Sequence, residues 1–166
     1  REAAGMAGLN IFASQNELRA AYEHDLLKKS ARVAVIPNGL AVSDFKTTAD
    51  SPIRLPSTTT EKPIIIITAG RFGDYAKGAD LVYRAFVRLA KVRSDVFLVS
   101  VDDQQRFAYI LQTLPADRYQ LVDWLAREAL FSAMTQADFA VVPSRYEPFG
   151  LIAIEAMAHG LPVVAN

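Results

Sequence analysis

Apolar residues along this chain gather into short unbroken runs, separated by longer stretches in which they recur every three or four positions. The runs fall at residues 64–68, 96–101, 119–122, 139–142 and 162–165. Runs without polar alternation suit strands of a parallel sheet, which are covered on both faces. Between them, Leu81, Val82, Ala85, Phe86 and Leu89 stripe residues 79–91, and Phe107, Ile110, Leu111 and Leu114 stripe the next stretch. This is the spacing of one helix face. Residues 126–136 and 151–159 complete the set, the last closing at Gly160, a natural helix C′ position. Strands alternating with helices predict an α/β fold, a doubly wound parallel sheet with right-handed crossovers.

The first 45 residues carry a shorter version of the same alternation. A small apolar run lies at residues 11–13, and Ser14-Gln15-Asn16-Glu17 reads as a capping box. Leu18, Ala21, Tyr22 and Leu26 then follow at helical spacing, and residues 33–36 predict a strand that stops at Pro37-Asn38-Gly39. Residues 46–62 differ in character, with seven Ser or Thr and two prolines and no periodicity, and read as a linker. The division is therefore 1–45, 46–62 and 63–166. The opening at Arg1 without a methionine, and a last strand running to Asn166, read as a segment incomplete at both ends.

Composition narrows the choice of partner. Eighteen Lys and Arg balance eighteen Asp and Glu, so no net charge favours nucleic acid or an anionic membrane. The chain has no cysteine, hence no disulfide, thiolate metal site or cysteine nucleophile, and only two histidines, His24 and His159. No apolar run approaches the roughly 20 residues that span a bilayer. No signal-peptide pattern opens the chain, and the expected compartment is the cytoplasm.

In open parallel sheets ligands bind beyond the carboxyl ends of the strands, which selects three loops. Residues 69–78 hold Gly70, Arg71, Gly73, Lys77 and Gly78: two cations able to meet a phosphate, and glycines that let backbone approach it. The other reading of this loop is two solvated cations on a flexible connection. Residues 141–150 run into the last helix and carry Glu147, with Glu155 further along in a helix otherwise apolar. A carboxylate there must find donors, either sugar hydroxyls or an internal Arg or Lys. Gly150 lets the helix N-terminus, with its free N–H groups, approach a phosphate. Tyr146 and Phe149 suit packing or ligand stacking. Asp102-Asp103 could hold magnesium but reads better as a cap for a helix from Gln104. His159 reads as a helix-end residue and His24 as solvated. No Ser-His-Asp set, Walker phosphate loop or dinucleotide fingerprint is present.

Residues 147–155, Glu-Pro-Phe-Gly-Leu-Ile-Ala-Ile-Glu, continue as Ala-Met-Ala-His-Gly-Leu-Pro-Val-Val. Together they resemble the E-x7-E signature of the retaining, two-lobed GT-B glycosyltransferases of family 4, which include starch and glycogen synthases and sucrose synthases. Ala137 to Ser144, Gly70-Arg71 with Lys77-Gly78 and Asp80, and Val35-Ile-Pro-Asn-Gly39 with Phe45 are similar to the same family. The resemblance implies a Rossmann-like donor lobe over 63–166, preceded over 1–45 by the end of the acceptor lobe and the crossover. It implies a catalytic set of Arg71, Lys77 and Glu147, the two cations on the donor diphosphate and Glu147 on the transferred sugar. Gly70, Phe149, Gly150, Leu151 and Glu155 would bind the nucleotide-sugar, Glu155 through the ribose hydroxyls. The donor would be a UDP-, ADP- or GDP-linked sugar and the acceptor a carbohydrate or other hydroxyl. No cofactor or metal is implied.

Two features depart from the family pattern. One extra residue separates Arg71 from Lys77, and Asp102-Asp103 stands where relatives carry glycine. With little of the acceptor lobe present, the segment alone is expected to be inactive. A sugar phosphorylase or nucleotide-sugar epimerase on the same scaffold, or a non-catalytic nucleotide-sugar-binding module, are the alternatives. Base choice is expected to rest on residues 121–126.

Overall fold

The computed structural model describes residues 8–41, 50–54 and 63–166. The predicted linker at 46–62 and Phe45 lie largely outside the described residues. The chain divides into two compact units, one of Arg1–Leu40 with Pro148–Leu151 and one of Ala41–Glu147 with Ile152–Asn166.

In the first unit, β1 (Asn10–Phe12) and β2 (Val33–Val35) pair in parallel with Asn10 opposite Val33. Between them lies α1 (Gln15–Glu23), started by the predicted cap. Ser14 Oγ accepts from the Glu17 N–H at 3.1 Å, while the Ala13 N–H donates to Glu17 Oε2 at 2.8 Å. The reciprocal bond thus reaches one residue beyond the cap itself. The helix stops short of the apolar stripe that ran to Leu26. Asp25 enters the left-handed region at φ 56°, and the Leu26 and Asp25 amides close onto Ala21 O and Tyr22 O. Six-to-one and five-to-two closures of this kind end helices, and Asp tolerates that φ better than most side chains. Leu26 is left exposed and Leu27 becomes the buried residue.

The second unit is built on β3 (Ile64–Gly70), β4 (Val96–Asp102), β5 (Tyr119–Val122), β6 (Phe139–Val142) and β7 (Val163–Ala165). They form one all-parallel sheet in the order β5-β4-β3-β6-β7. Helices α2 (Ala79–Ala90), α3 (Arg127–Met134) and α4 (Leu151–Ala158) make three of the four crossovers. The fourth, between β4 and β5, corrects the sequence reading. Its apolar stripe forms a six-residue 3-10 helix, Ala108–Thr113, followed by a second, Ala116–Arg118. Gln105 at φ 49° interrupts the entry and Pro115 ends the run, too short a span for a stable α-helix. Leu111 alone in that first turn is fully buried.

Strand periodicity distributes the core between the two faces. Ile65 and Ile67 pack with Phe131, Met134 and Ala156 on one side, and Ile66 packs with Val82, Tyr83, Phe86 and Leu111 on the other. Every residue of β4 is buried. Burying one such Leu, Ile, Val or Phe contributes roughly 1.5–3 kcal/mol, so each of these sheet residues is a large fraction of a domain's net stability. Among the described residues no helix is long and apolar enough to cross a membrane.

The winding fixes where a ligand fits. From β3 the chain steps outward to β4 and β5, then crosses back to lay β6 against the other side of β3. The crevice at such a reversal, beyond the carboxyl ends of the two diverging strands, is the general ligand position of open parallel sheets. Here it lies after Gly70 and Val142.

Candidate functional site

The loop leaving β3 is held from below and from the side. Phe72 is buried, and a side-chain carbon at Gly70 would sit 2.9 Å from its ring. Asp74 Oδ1 accepts from the Ala76 N–H at 2.9 Å and starts the 3-10 turn Tyr75–Lys77. Gly78 ends that turn at φ 73°, a left-handed value, and a Cβ there would overlap the Pro143 carbonyl oxygen. Glycine therefore lets the two loops touch. Arg71 is exposed, and no described residue bonds to its guanidinium.

The loop leaving β6 meets it. Buried Thr68 donates to Val141 O at 2.9 Å, tying β3 to the end of β6. Lys77 Nζ lies 2.8 Å from Glu147 Oε2, and Ser144 Oγ donates to the same oxygen at 3.1 Å. Both charged side chains are partly accessible, at 23% and 27%. Lys77 and Glu147, 70 positions apart, thus form one ion pair over the reversal point of the sheet.

Arg145 and Asp80 join the same cluster. The guanidinium makes two parallel bonds to Asp80, at 2.7 and 2.8 Å, and stacks on the Tyr75 ring 3.8 Å from its centroid. Those hydrogen bonds, chiefly, hold the Asp80 carboxyl below its ordinary range against the opposing effect of burial. A carboxyl with a lowered folded-state pKa stabilises the fold above its unfolded pKa, about 3.9, and loses that contribution as pH falls through the folded value. Wild type is accordingly expected to melt higher than Asp80→Asn from pH 5 to 8, with the gap closing below about pH 4. A gap unchanged at pH 3 in thermal melts would show that the pair contributes nothing.

Glu155 has a different partner. It lies in α4 with its side chain 14% accessible, and Arg127 Nη2 at the start of α3 donates to its Oε1 at 3.1 Å. Arg127 is the internal donor that the sequence reading allowed for. Phe149 and Leu151 are half-buried and exposed, and Gly150 is buried at φ 85° just before α4. These three group with the first unit.

Asp102, wholly buried at the end of β4, accepts from the Gln104 N–H at 3.0 Å inside a turn. No helix begins at Gln104, so the predicted helix cap is a turn instead. Tyr83 Oη lies 2.7 Å from Ser100 Oγ and 3.5 Å from Asp102 Oδ2. Burial, first of all, pushes the pKa values of Tyr83 and Asp102 up.

A groove of about 840 Å³ runs along β5, the edge strand, between Gln120, Trp124 and the segment Ser51 to Arg54. It does not include the Lys77–Glu147 pair. At one end it takes in Leu121 to Leu125, the stretch expected to meet the base. Gln120 fixes the far wall, accepting from the Arg54 N–H at 2.7 Å and donating to Pro52 O at 2.9 Å.

Residues 51–166 match the family described as Glycosyl transferases group 1. The chain belongs to that family. Glycogen synthase from Mycobacterium tuberculosis (strain CDC 1551 / Oshkosh) is 31% identical over 142 residues, covering 82% of this chain and 32% of that protein. The structure of sucrose-phosphate synthase from Thermosynechococcus elongatus superposes with a TM-score of 0.71 at 29% identity, covering 98% of this chain and 41% of that one. A structure of Anabaena HepE in complex with UDP and glucose gives a TM-score of 0.75 at 23% identity over 98% of this chain and 45% of that one, a likeness of fold. The chain spans about a third of the glycogen synthase it matches.

The group 1 glycosyltransferase segment therefore has the parallel, Rossmann-like sheet that its motifs implied. Sequence reasoning brought forward Arg71, Lys77 and Glu147 but gave no role to Arg145, Ser144 or Arg127. The contacts of Arg145 and Arg127 join positions up to 70 and 28 residues apart, and no local pattern announces them.

Proposed function

We propose that this chain supplies the donor site of a retaining, family 4 glycosyltransferase. That enzyme moves a glycosyl group from a UDP-, ADP- or GDP-linked sugar to a hydroxyl acceptor with its anomeric configuration kept. The observation that carries the reading is the Lys77–Glu147 pair, set with exposed Arg71 on the loop across the reversal point of the sheet. Cleaving the sugar–phosphate bond puts charge on the leaving diphosphate, and preorganised cations stabilise charge where it develops. Arg71 and Lys77 hold that diphosphate in this reading, with no metal ion required. Glu147 is beside them to meet the sugar, and Gly70 lets backbone come close. Phe149, Gly150 and Leu151 offer backbone to sugar and phosphate at the start of α4. Glu155 takes the ribose hydroxyls, sharing its carboxylate with Arg127. Residues 63–166 are the donor lobe, 46–62 a linker and 1–45 the end of an acceptor lobe with its crossover, in a cytoplasmic protein.

Calorimetric titration with UDP, ADP, GDP and inorganic phosphate tests this. One nucleoside diphosphate is expected to saturate wild type. Glu155→Ala is expected to bind it about tenfold or more weakly, the scale of hydrogen bonds to a charged group. Phosphate binding without nucleotide binding indicates a phosphorylase. Binding of neither, by a chain shown folded by circular dichroism, overturns the reading.

A further inference from the structure

We propose that Arg145 is a positioning residue, which sets Lys77 for the donor diphosphate by bracing the turn that carries it. The proposal rests on the donor-site reading. It concerns a side chain that touches no part of the expected ligand.

Six contacts of Arg145 and its neighbour converge on the segment around Lys77. The Arg145 N–H donates to Ala76 O at 2.7 Å, and the Tyr146 N–H reaches the same oxygen at 3.4 Å. Nη1 donates to Tyr75 O at 2.9 Å as well as to Asp80. Nη2 completes the fork on Asp80, and the guanidinium covers the Tyr75 ring. Tyr75 and Ala76 immediately precede Lys77 in its 3-10 turn, and Asp80 lies in the first turn of α2. Both ends of the short segment bearing Lys77 are thus fastened to one residue. Two positions further on stands Glu147, the partner of Lys77.

A free lysine ammonium on a four-carbon stem samples many positions, and site geometry must hold to about half an ångström to be effective. The turn 75–77 is only three residues long and buries none of them, so packing does not fix it. The fork and the stack do. Partly exposed ion pairs add little to global stability, so the main effect of this one is on position. Lysine cannot reproduce it, because a fork on Asp80 and a face on Tyr75 both need a planar guanidinium.

A double-mutant cycle of nucleotide affinity tests the assignment, with UDP, ADP and GDP as probes by calorimetry. Arg145→Ala, Arg145→Lys and Asp80→Asn are each expected to bind the preferred nucleotide about tenfold more weakly, the cost of a misplaced cation. In a Lys77→Ala background, Arg145→Ala is expected to change affinity by less than about twofold, because residues acting through one another are not additive. A purely structural role gives the same loss in both backgrounds, or full affinity in Arg145→Lys, and either result overturns the proposal while leaving the donor site standing. Failure of folded wild type to bind any of the three nucleotides overturns both together.

Discussion

Gly78→Ala is expected to destabilise the protein by about 3 kcal/mol or more, from one added methyl group. Two effects combine. The residue sits at φ 73°, and a side chain in the left-handed region costs about 1–2 kcal/mol. The new carbon would also overlap the Pro143 carbonyl oxygen, a backbone atom that no rotamer change can move aside. Relief requires the loops after β3 and β6 to part, which separates Lys77 from Glu147. The midpoint of urea unfolding should fall at an unchanged slope, since the surface exposed on unfolding stays the same. Nucleotide binding should be lost with it. A midpoint equal to wild type would mean that the close approach of the two loops is not a constraint on the fold.

Lys77→Ala is expected to weaken nucleoside diphosphate binding by about 100-fold and Arg71→Ala by about tenfold, the upper and lower range of charge-assisted hydrogen bonds. The asymmetry follows from Glu147. Removing Lys77 deletes a cation and leaves a carboxylate, formerly 2.8 Å from it, facing the incoming diphosphate. Removing Arg71 deletes a cation that no described residue neutralises, with no such exposure of negative charge. Adding Glu147→Gln to Lys77→Ala should therefore recover part of the lost affinity, and raising salt should weaken wild type more than Lys77→Ala. Equal affinities for wild type and Lys77→Ala would remove the lysine from the site.

The parts of the fold that were legible in the sequence are those where one physical cause dominates. Ile64 to Thr68 and Val96 to Val101 are buried on both faces, and a strand so placed shows as an unbroken apolar run. In α2 the stripe holds in part: Val82 and Phe86 are buried, together with Tyr83, while Leu81 and Ala85, counted in the same stripe, are exposed. The segment 107–114 misled. Its stripe reports the face that covers Ile66 and Leu98, but spacing of three to four fits a 3-10 turn as well as an α-helix, and Pro115 and the φ of Gln105 decided between them. Helix α1 ended early because its stop is a left-handed Asp rather than a glycine.

At the site, residue type announced Arg71, Lys77 and Glu147 as charges just beyond strands, and Glu155 as a carboxylate in an otherwise apolar helix. Which of them meet could not be read. Lys77 finds Glu147 because β6 lies beside β3, and that adjacency belongs to the winding of the sheet. Glu155 finds Arg127 because α3 and α4 pack on the same face. Arg145 stood in a loop already singled out, but its work depends on Asp80 and Tyr75 across that same strand boundary.

The central claim is a location: the donor diphosphate sits on the loops following β3 and β6. Amide-resolved NMR of the labelled chain, titrated with UDP, ADP and GDP, tests it most directly. The expected result is saturable shifts concentrated in residues 70–78 and 144–147 with one of the three nucleotides, needing about 100-fold more nucleotide in Lys77→Ala. Shifts confined to the groove along β5, at Gln120 and Trp124 without the Lys77 turn, would contradict it.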